Sequence, residues 1–268
     1  SSKGLKAGST LTVSGGTVSI NSTDDALHSN GNVDIQNGTI NVKTNDDAVH
    51  ADNAVTINGG TISVTSCYEG IEGMSIEIND GNISITSTDD GLNAADGTAS
   101  NNRPGQANSA NSLVINGGYL YVNAEGDGLD SNGTLTVNGG TVLVDGPNGR
   151  GNGPIDADGA RLVNGGFLIA TGGTDMLESP QASSKQNCAV IYAGSLTANT
   201  SVALTNGKGE AIFCYTLSKA AQTLTISMPE LEIGETYTLY TGVTPSDTAS
   251  KLLYGNGVSF TGGREAAS

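Results

Sequence analysis

Acidic residues recur along the first half of this chain, mostly at intervals of about 22 residues and in a similar context. Asp24-Asp25-Ala26-Leu27-His28 is followed by Asp46-Asp47-Ala48-Val49-His50, and later copies keep acids at equal places. Oxygen ligands from Asp, Glu and Asn suit a hard cation with flexible coordination, which favours Ca²⁺ over Mg²⁺. The pattern therefore predicts several calcium sites. The candidate metal ligands are Asp24, Asp25, Asp46, Asp47, Glu69, Glu72, Asp89, Asp90, Asp127 and Asp130.

If each copy forms one coil of a repeating fold, equal positions stack as vertical ladders. The first ladder contains Asp25, Asp47, Glu69, Asp90 and Asp127, and the second contains His28, His50, Glu72, Asn93 and Asp130. A weaker third ladder contains Asn30, Asp52, Asn132 and Asp158. Neighbouring carboxylates would lie about 5 Å apart and would repel by roughly 3 kcal/mol per pair at an effective dielectric of about 20. Such a stack requires protons or bound cations.

Four further residues of these ladders are candidates for ligand binding: His28, His50, Asp52 and Asn93. Imidazole is not a preferred calcium ligand, so the two histidines can instead bind a softer metal or hydrogen-bond a carboxylate or a sugar.

A simpler explanation of the acids is that Asp and Asn tolerate the tight geometry of solenoid corners. One acid per coil would fit that explanation, whereas two to four acids per coil, held in phase, favour metal binding. No EF-hand loop is present in the sequence.

The segments between the acidic units predict the fold that positions them. Leu11-Thr12-Val13 and Val18-Ser19-Ile20 flank Gly15-Gly16, and this arrangement recurs with the same period. Strict alternation of apolar residues indicates half-buried strands. A meander of hairpins could contain similar segments, but its neighbouring strands need not resemble each other. We therefore predict an all-β fold, a parallel β-helix with three short strands per coil and about seven coils stacked over roughly 35 Å.

The repeat divides the chain into two parts. Residues 1–186 are predicted to form the coils, with a polar loop insertion at 98–111. Residues 187–268 are predicted to form the final coils and a strand-rich C-terminal cap, because the end of a solenoid exposes unpaired strand edges that must be covered.

Aromatic residues are scarce, which makes an outward-facing pair at Tyr119 and Tyr121 informative. Alternation places Leu143, Phe167 and Ile169 in the same outward columns. This apolar patch can serve as a platform for sugar rings or lie under the cap. Large exposed apolar patches are rare on monomers, which favours burial.

The overall charge excludes some classes of function. The 268 residues include 27 Asp and Glu but only 11 Lys and Arg, which gives a net charge of −16. A simple nucleic-acid binder or a protein docked on an anionic membrane needs a basic surface. No apolar run approaches the length of a membrane span, and no signal segment opens the chain.

The three cysteines do not resemble a zinc site, because no CxxC spacing occurs. Cys188 and Cys214 can pair with each other, but buried free thiols are the simpler expectation.

The ordered set of motifs resembles a family of bacterial cell-surface carbohydrate-binding proteins with a right-handed parallel β-helix. The acidic units carry the resemblance together with Asn58-Gly59-Gly60-Thr61, Asn138-Gly139-Gly140-Thr141, Gly172-Gly173-Thr174-Asp175-Met176 and the segment 229–240. The resemblance implies bound calcium, binding of cellulose or of acidic sugars such as polygalacturonate, an extracellular or cell-surface location, and a fold shared with pectate lyases. This chain departs from the pattern at Tyr68-Glu69, which replaces Asp-Asp, and at Gly126, where one acid is missing.

Three functions are compatible with these features. The first is non-catalytic, calcium-dependent carbohydrate binding by a monomer, in which Ca²⁺ bridges the acidic protein to an acidic sugar. The second is a polysaccharide lyase, which needs a base beside the calcium site. The basic candidates Lys43, Arg103 and Arg150 lie outside the ladders, so we expect no enzyme activity. The third is a structural or adhesive solenoid that calcium only stabilises.

Overall fold

The computed structural model describes residues 2–96, 107–149 and 151–266, and within these ranges the chain is all β, without helices. The described ranges accordingly contain no helix that could cross a membrane. The strands of the repeated region are β1 (Leu5–Ala7), β2 (Thr10–Val13), β3 (Thr17–Asn21), β4 (Leu27–Ser29), β5 (Asn32–Ile35), β6 (Thr39–Lys43), β7 (Val49–Ile57), β8 (Thr61–Cys67), β9 (Ile71–Ile78), β10 (Asn82–Ser87), β11 (Leu92–Ala94), β12 (Ser112–Ile115), β13 (Tyr119–Ala124), β14 (Leu129–Ser131), β15 (Thr134–Val137), β16 (Thr141–Asp145), β17 (Ile155–Ala157), β18 (Arg161–Val163) and β19 (Phe167–Gly172). The C-terminal strands are β20 (Cys188–Leu196), β21 (Ser201–Asn206), β22 (Ala211–Thr216), β23 (Ala221–Ser227), β24 (Tyr237–Pro245), β25 (Leu252–Tyr254) and β26 (Phe260–Glu265).

Each coil contributes strand residues to three faces of a parallel β-solenoid of about seven coils. The first face contains β1, β4, β11, β14 and β17, and the second contains β2, β5, β12, β15 and β18. The long strands β7 and β9 run through both of these faces. The third face contains β3, β6, β8, β10, β13, β16 and β19. The predicted fold class and repeat length are therefore confirmed.

Inward-facing apolar residues stack on their equivalents in the next coil. Leu27 pairs in register with Val49 and then with Ile71 on the first face, and Ile40 pairs with Ile62 on the third. All five side chains are almost completely buried. Burial of each such side chain stabilises the fold by about 1.5–3 kcal/mol, and the alternation leaves the intervening residues outside.

A stack of asparagine side chains runs along the corner between the second and third faces. From Asn79 onward, each side-chain amide donates to the side-chain carbonyl of the asparagine in the preceding coil, at 2.8–2.9 Å. The stacked residues are Asn58, Asn79, Asn116, Asn138 and Asn164. These bonds hold successive corners in register, and this stack was not among the sequence-based expectations.

Beyond β19 the strands pair in the antiparallel direction. Strand β23 lies between β19 and β20 and is antiparallel to both. The remaining C-terminal strands form a five-stranded antiparallel sheet in the order β25-β22-β21-β24-β26. We call residues 188–266 the cap.

The cap covers the outward apolar patch of the coils. Tyr121 is in register with Leu143 and Ile169, and Tyr119 is in register with Thr141 and Phe167. All but Thr141 belong to a hydrophobic cluster that also contains residues of β21, β22 and β23. The patch is therefore buried under the cap, as expected, and is not an open platform for sugars.

A buried carboxylate joins the cap to the coils. Asp145 is completely buried, and it accepts hydrogen bonds from the Tyr215 hydroxyl at 2.9 Å and the Ser218 amide at 3.0 Å. The Lys251 ammonium lies 2.8 Å from the same carboxylate, and the Tyr121 hydroxyl donates to it at 3.1 Å. A buried charge is tolerated only when it is paired and hydrogen-bonded in this way.

All three cysteines are free thiols: Cys67 and Cys214 are buried and Cys188 is half-buried. The predicted insertion at 98–111 lies largely outside the described residues, as do Arg103 and Arg150. At its described end, the buried Asn111 side chain donates to the Met74 carbonyl at 3.0 Å.

Candidate functional site

The acidic units form the corner where third-face strands end and first-face strands begin. In coil one, β3 ends at Asn21 and β4 begins at Leu27, so residues 22–26 make the corner. Backbone bonds join each corner to the next, for example from Ala26 N to Asp47 O at 2.9 Å. We number coils one to six by their corners near residues 25, 47, 69, 90, 127 and 153, and refer to this surface as the acidic corner.

The strands bring the second ladder together in the predicted order. His28 is in register with His50, which is in register with Glu72. The column continues through Asn93 and Asp130 and ends at Asp156. Since the pairing is parallel and in register, side chains at these positions lie on one outward line.

One residue before the first ladder, a further column runs along the corner; we call it the outer ladder. It contains Asp24, Asp46, Tyr68, Asp89 and Gly126. The Tyr68 amide donates to Asp46 O at 2.9 Å, and the Gly126 amide donates to Asp89 O at 3.0 Å. The outer ladder therefore changes from acid to aromatic at Tyr68, returns to acid at Asp89, and loses its side chain at Gly126.

Two lysines, which the sequence analysis missed, precede the ladders. Lys6 is in register with His28, and the Gly4 amide donates to Asp25 O, which places Lys3 one coil before the first ladder. The Lys3 ammonium contacts the carboxylates of Asp24, at 2.7 Å, and Asp25. The signal was present in the sequence, since Lys3 and Lys6 stand 22 residues before Asp25 and His28.

His50 is the cation of coils two and three. Its Nδ1 atom contacts the Glu72 carboxylate and lies 3.2 Å from Asp47 Oδ2, and its Nε2 atom lies 3.2 Å from Asp52 Oδ1. The hydrogen bonds to Asp47 and Glu72 raise the pKa of His50 to about 11. The imidazolium is therefore retained at neutral pH and neutralises part of the acidic charge around it.

The two carboxylates beside His50 titrate differently. Burial raises the pKa of Asp47 to about 6, although its hydrogen bond with His50 opposes the rise. Burial also acts on Glu72, but the hydrogen bond and charge of His50 outweigh it and lower the pKa of Glu72. Glu72 is therefore the carboxylate that stays ionised against the imidazolium.

His28 stacks on His50 with ring centroids 5.0 Å apart. Its Nδ1 atom lies 2.7 Å from Asp25 Oδ2, and its buried Nε2 atom has no described hydrogen-bond partner. Both histidines thus contact carboxylates, which is one of the roles considered for them. Asp52 is exposed; a hydrogen bond from Asn30 and the contact with His50 lower its pKa.

In coil three, the Glu69 carboxylate contacts Asn93 of the next coil. The side-chain amide of Asn93 donates to both carboxylate oxygens of Glu69, at 3.3 Å and 3.2 Å. Burial, followed by the charge of Glu72, raises the pKa of Glu69 to about 8. Asn93 is thus a hydrogen-bond donor to an acid.

The ladder acids of coils four to six have no basic partner among the residues that the structure describes. Asp90 Oδ1 accepts from the Asp127 amide at 2.6 Å, and Asp127 Oδ1 accepts from the Gly153 amide at 2.5 Å. Among the described residues, no Lys, Arg or His forms an ion pair with Asp90, Asp127, Asp130 or Asp156. We call these four residues the lower acid cluster.

The protonation of the lower acid cluster reflects this missing charge. Burial raises the pKa of Asp127 to about 7 and that of Asp130 to about 8, and the neighbouring carboxylates add to both shifts. Burial likewise raises the pKa of Asp90 to about 6, against the hydrogen bond from the Asp127 amide. Without a bound cation, this part of the corner compensates its repulsion by taking up protons.

Two criteria for a metal site, the convergence of ligand atoms and the lack of a basic partner, indicate different parts of the corner. Within the described ranges, two groups of three side chains bring one ligand atom each within 4.8 Å of one another: Asp24, Asp25 and Asp46, and Asp47, His50 and Glu72. Lys3 already contacts two acids of the first group, and His50, a member of the second, is itself protonated. Both convergent groups thus already include or contact a basic side chain, whereas the lower acid cluster has no basic partner among the described residues.

Of the three basic residues considered for lyase chemistry, Lys43 is the one within the described ranges, and it lies outside these contacts. Lys43 is exposed at the end of β6 and forms no ion pair with a described acid.

The comparison with protein families gives a direct assignment. A model of the family described as carbohydrate-binding domain-containing protein matches the chain in three overlapping segments, residues 1–48, 26–70 and 44–206. The chain belongs to this family. Searches among curated proteins and among solved structures found no significant match.

The family match covers the whole acidic corner, and its overlapping segments agree with the internal repeat. Membership indicates a carbohydrate-binding role, with a polysaccharide or another sugar as the partner. The match ends at residue 206, so most of the cap lies beyond it.

Proposed function

We propose that this protein binds an acidic polysaccharide without cleaving it, through Ca²⁺ held along the acidic corner. One observation carries the proposal: a chain of a carbohydrate-binding family stacks Asp90, Asp127, Asp130 and Asp156 with no described cation among them. Ca²⁺ between coils four and six would supply the missing positive charge.

The donor set of the lower acid cluster suits calcium. Asp90 and Asp127 each use Oδ1 for a backbone amide, and their Oδ2 atoms have no described hydrogen bond. Oxygen ligands from several carboxylates, with flexible geometry, are typical of Ca²⁺ sites. Asp89 of the outer ladder lies at the same corner and is a further ligand in this proposal.

In coils one to three, the remaining candidate metal ligands have a secondary role. Lys3 and His50 already neutralise Asp24, Asp25, Asp47 and Glu72 in part. A cation there would have to compete with a cation of the chain itself, so we expect weaker calcium binding in these coils.

Calcium also explains how a protein of net charge −16 can bind a polyanion. Without a cation, a uronate polymer would be repelled by the corner. A Ca²⁺ ion with an incomplete set of protein ligands can accept a sugar carboxylate or hydroxyl groups, because it takes six to eight oxygen ligands. We expect this binding at the bacterial cell surface, the location of the family that the sequence resembles.

Non-catalytic binding is favoured over a lyase because the basic side chains of Lys3 and His50 are already engaged by acids of the corner. Lys3 is paired with two acids, and His50 is protonated. A general base must be unprotonated at the working pH and must reach the substrate proton.

Affinity electrophoresis in gels containing polygalacturonate tests the proposal. Wild-type protein should be retarded with calcium and should migrate freely with excess chelator. The variant Asp90→Asn/Asp127→Asn/Asp130→Asn should lose at least about tenfold in affinity, since a cation site loses three charged ligands. The matched control is Asp34→Asn/Glu77→Gln/Asp80→Asn, which changes net charge equally outside the corner and should bind as wild type. Equal retardation with chelator, or equal loss in both variants, would contradict the proposal.

A further inference from the structure

Tyr68 is an aromatic residue in the middle of the acidic corner. Its backbone amide donates to Asp46 O at 2.9 Å, and its carbonyl accepts from the Asp89 amide at 3.0 Å, so it lies between these acids in the outer ladder. Its side chain is 47% exposed. No other Tyr or Phe of the described coils is exposed, because Tyr119, Tyr121 and Phe167 pack against the cap.

Neighbouring groups hold the exposed ring at the corner. The Tyr68 hydroxyl interacts with the Asp89 carboxylate, which raises the pKa of the phenol to about 12. Beyond Asp89 the outer ladder has no side chain, because the next position is Gly126. A Cβ atom there would lie 2.6 Å from Asp89 Oδ1 and 2.7 Å from the Asp89 carbonyl carbon, so a side chain is excluded. The corner therefore presents an aromatic ring and then the carboxylates of Asp89 and Asp90, which lie against Gly126.

A purely structural role does not account for this position. Tyrosine contributes to folding mainly by burying its ring, and Tyr68 leaves nearly half of its surface in solvent. Coil four has Asp89 at the same place, and its amide and carbonyl form the same two backbone bonds to the neighbouring coils, so the turn does not require an aromatic residue. An exposed aromatic ring within a polar surface is typical of ligand binding.

We propose that Tyr68 is a sugar-stacking residue that fixes the position of one pyranose ring on the acidic corner. The apolar C–H face of a pyranose packs on the ring, while its hydroxyls donate to the carboxylates of Asp46 and Asp89. The lower acid cluster begins with Asp90 one coil further on, about 5 Å away at the usual strand spacing. Neighbouring units of the same polymer then reach the calcium proposed there. This inference rests on the proposed function and adds the residue that orients the sugar.

The test compares Tyr68→Ala and Tyr68→Phe with Tyr192→Ala, a matched control in the cap whose side chain is 63% exposed. Retardation is measured in polygalacturonate gels with calcium and in hydroxyethylcellulose gels. We expect Tyr68→Ala to lose about tenfold in affinity for the polymer that wild type binds, a typical value for a lost stacking contact. Tyr68→Phe should stay within about twofold because it keeps the ring, and Tyr192→Ala should bind as wild type.

Calcium affinity and thermal unfolding of the same variants separate the possible causes. Both should stay close to the wild-type values in Tyr68→Ala if the residue acts by contacting the sugar. Full retardation of Tyr68→Ala beside a retarded wild type would overturn this inference and leave the proposed function standing. A loss of affinity accompanied by an equal loss of calcium binding or stability would also overturn it. A wild type that neither polymer retards would contradict the proposed function itself, and this inference with it.

Discussion

Asp90 Oδ1 accepts a hydrogen bond from the backbone amide of Asp127, 37 residues further along the chain, at 2.6 Å. Asp127 Oδ1 repeats the contact with the Gly153 amide of the next coil. Both acids are therefore oriented by the coil that follows them. The ladder is part of the hydrogen bonding between coils, and its charge must be balanced for the coils to stack.

Removal of calcium is expected to lower the stability of the protein. Ions that bind only the folded corner stabilise it by mass action, by about 2.7 kcal/mol when free calcium is 100 times its dissociation constant. Thermal unfolding followed by circular dichroism, with millimolar calcium and with excess chelator, measures the difference. An identical unfolding temperature in both conditions would indicate that calcium does not bind the folded protein.

Without divalent cations, stability should fall as the pH rises. Glu69, Asp90, Asp127 and Asp130 have pKa values raised to about 8, 6, 7 and 8. Between about pH 4 and pH 8 the folded state then binds more protons than the unfolded state, so the free energy of unfolding decreases with pH.

The shifted pKa values of His50, Glu72 and Asp52 do not reverse this fall in stability above pH 5. The raised pKa of His50 acts in the same direction, because its contribution is complete below about pH 6.5 and is lost as the pH rises through 11. The lowered pKa values of Glu72 and Asp52 matter only at lower pH. Denaturant unfolding from pH 4.5 to pH 8 should show the decline in chelator and a flatter profile in calcium. Rising stability across this range in chelator would refute the proton balance described here.

Substitution of His50 should make the stability of coils one to three depend on calcium. His50→Gln removes the cation between Asp47 and Glu72, and we expect a loss of about 2 kcal/mol, because the site is partly open to solvent. Added calcium should restore more stability to His50→Gln than to wild type. Lys43→Gln, which removes an unpaired exposed cation, is the matched control and should lie within about 0.5 kcal/mol of wild type. Equal calcium responses in His50→Gln and wild type would argue against His50 as a substitute for a metal ion.

The Tyr121 side chain should matter for folding and not for sugar binding. It packs in the cluster under the cap, and its hydroxyl contacts Asp145 and Ser218. Tyr121→Ala should therefore cost about 3 kcal/mol of stability, while polymer binding at a permissive temperature stays unchanged. A folded Tyr121→Ala variant that no longer binds polygalacturonate would move the binding site to the cap.

Much of the coil architecture could be predicted from the sequence, because a strict period determines both the strand face and the register. Leu27, Val49 and Ile71 recur at equal positions, and parallel pairing places them in contact. The same logic located the acidic ladders.

The balance of charge at the corner was harder to predict. Lys3 and Lys6 belong to the ladders by spacing, but they are basic, so a search for repeated acids missed them. The histidines contact Asp25, Asp47 and Glu72, and these contacts depend on side-chain conformations that a period does not define. The junction at Asp145 joins this residue to Tyr215 and Ser218, which lie 70 and 73 positions further along the chain and outside the repeat.

The most direct test of calcium binding at the lower acid cluster is an anomalous difference map from crystals grown with calcium. We expect peaks within coordination distance of the carboxylates of Asp90, Asp127 and Asp130, with weaker or absent peaks beside Lys3 and His50. Peaks only at Asp24, Asp25 and Asp46, or no peak along the corner at saturating calcium, would contradict it.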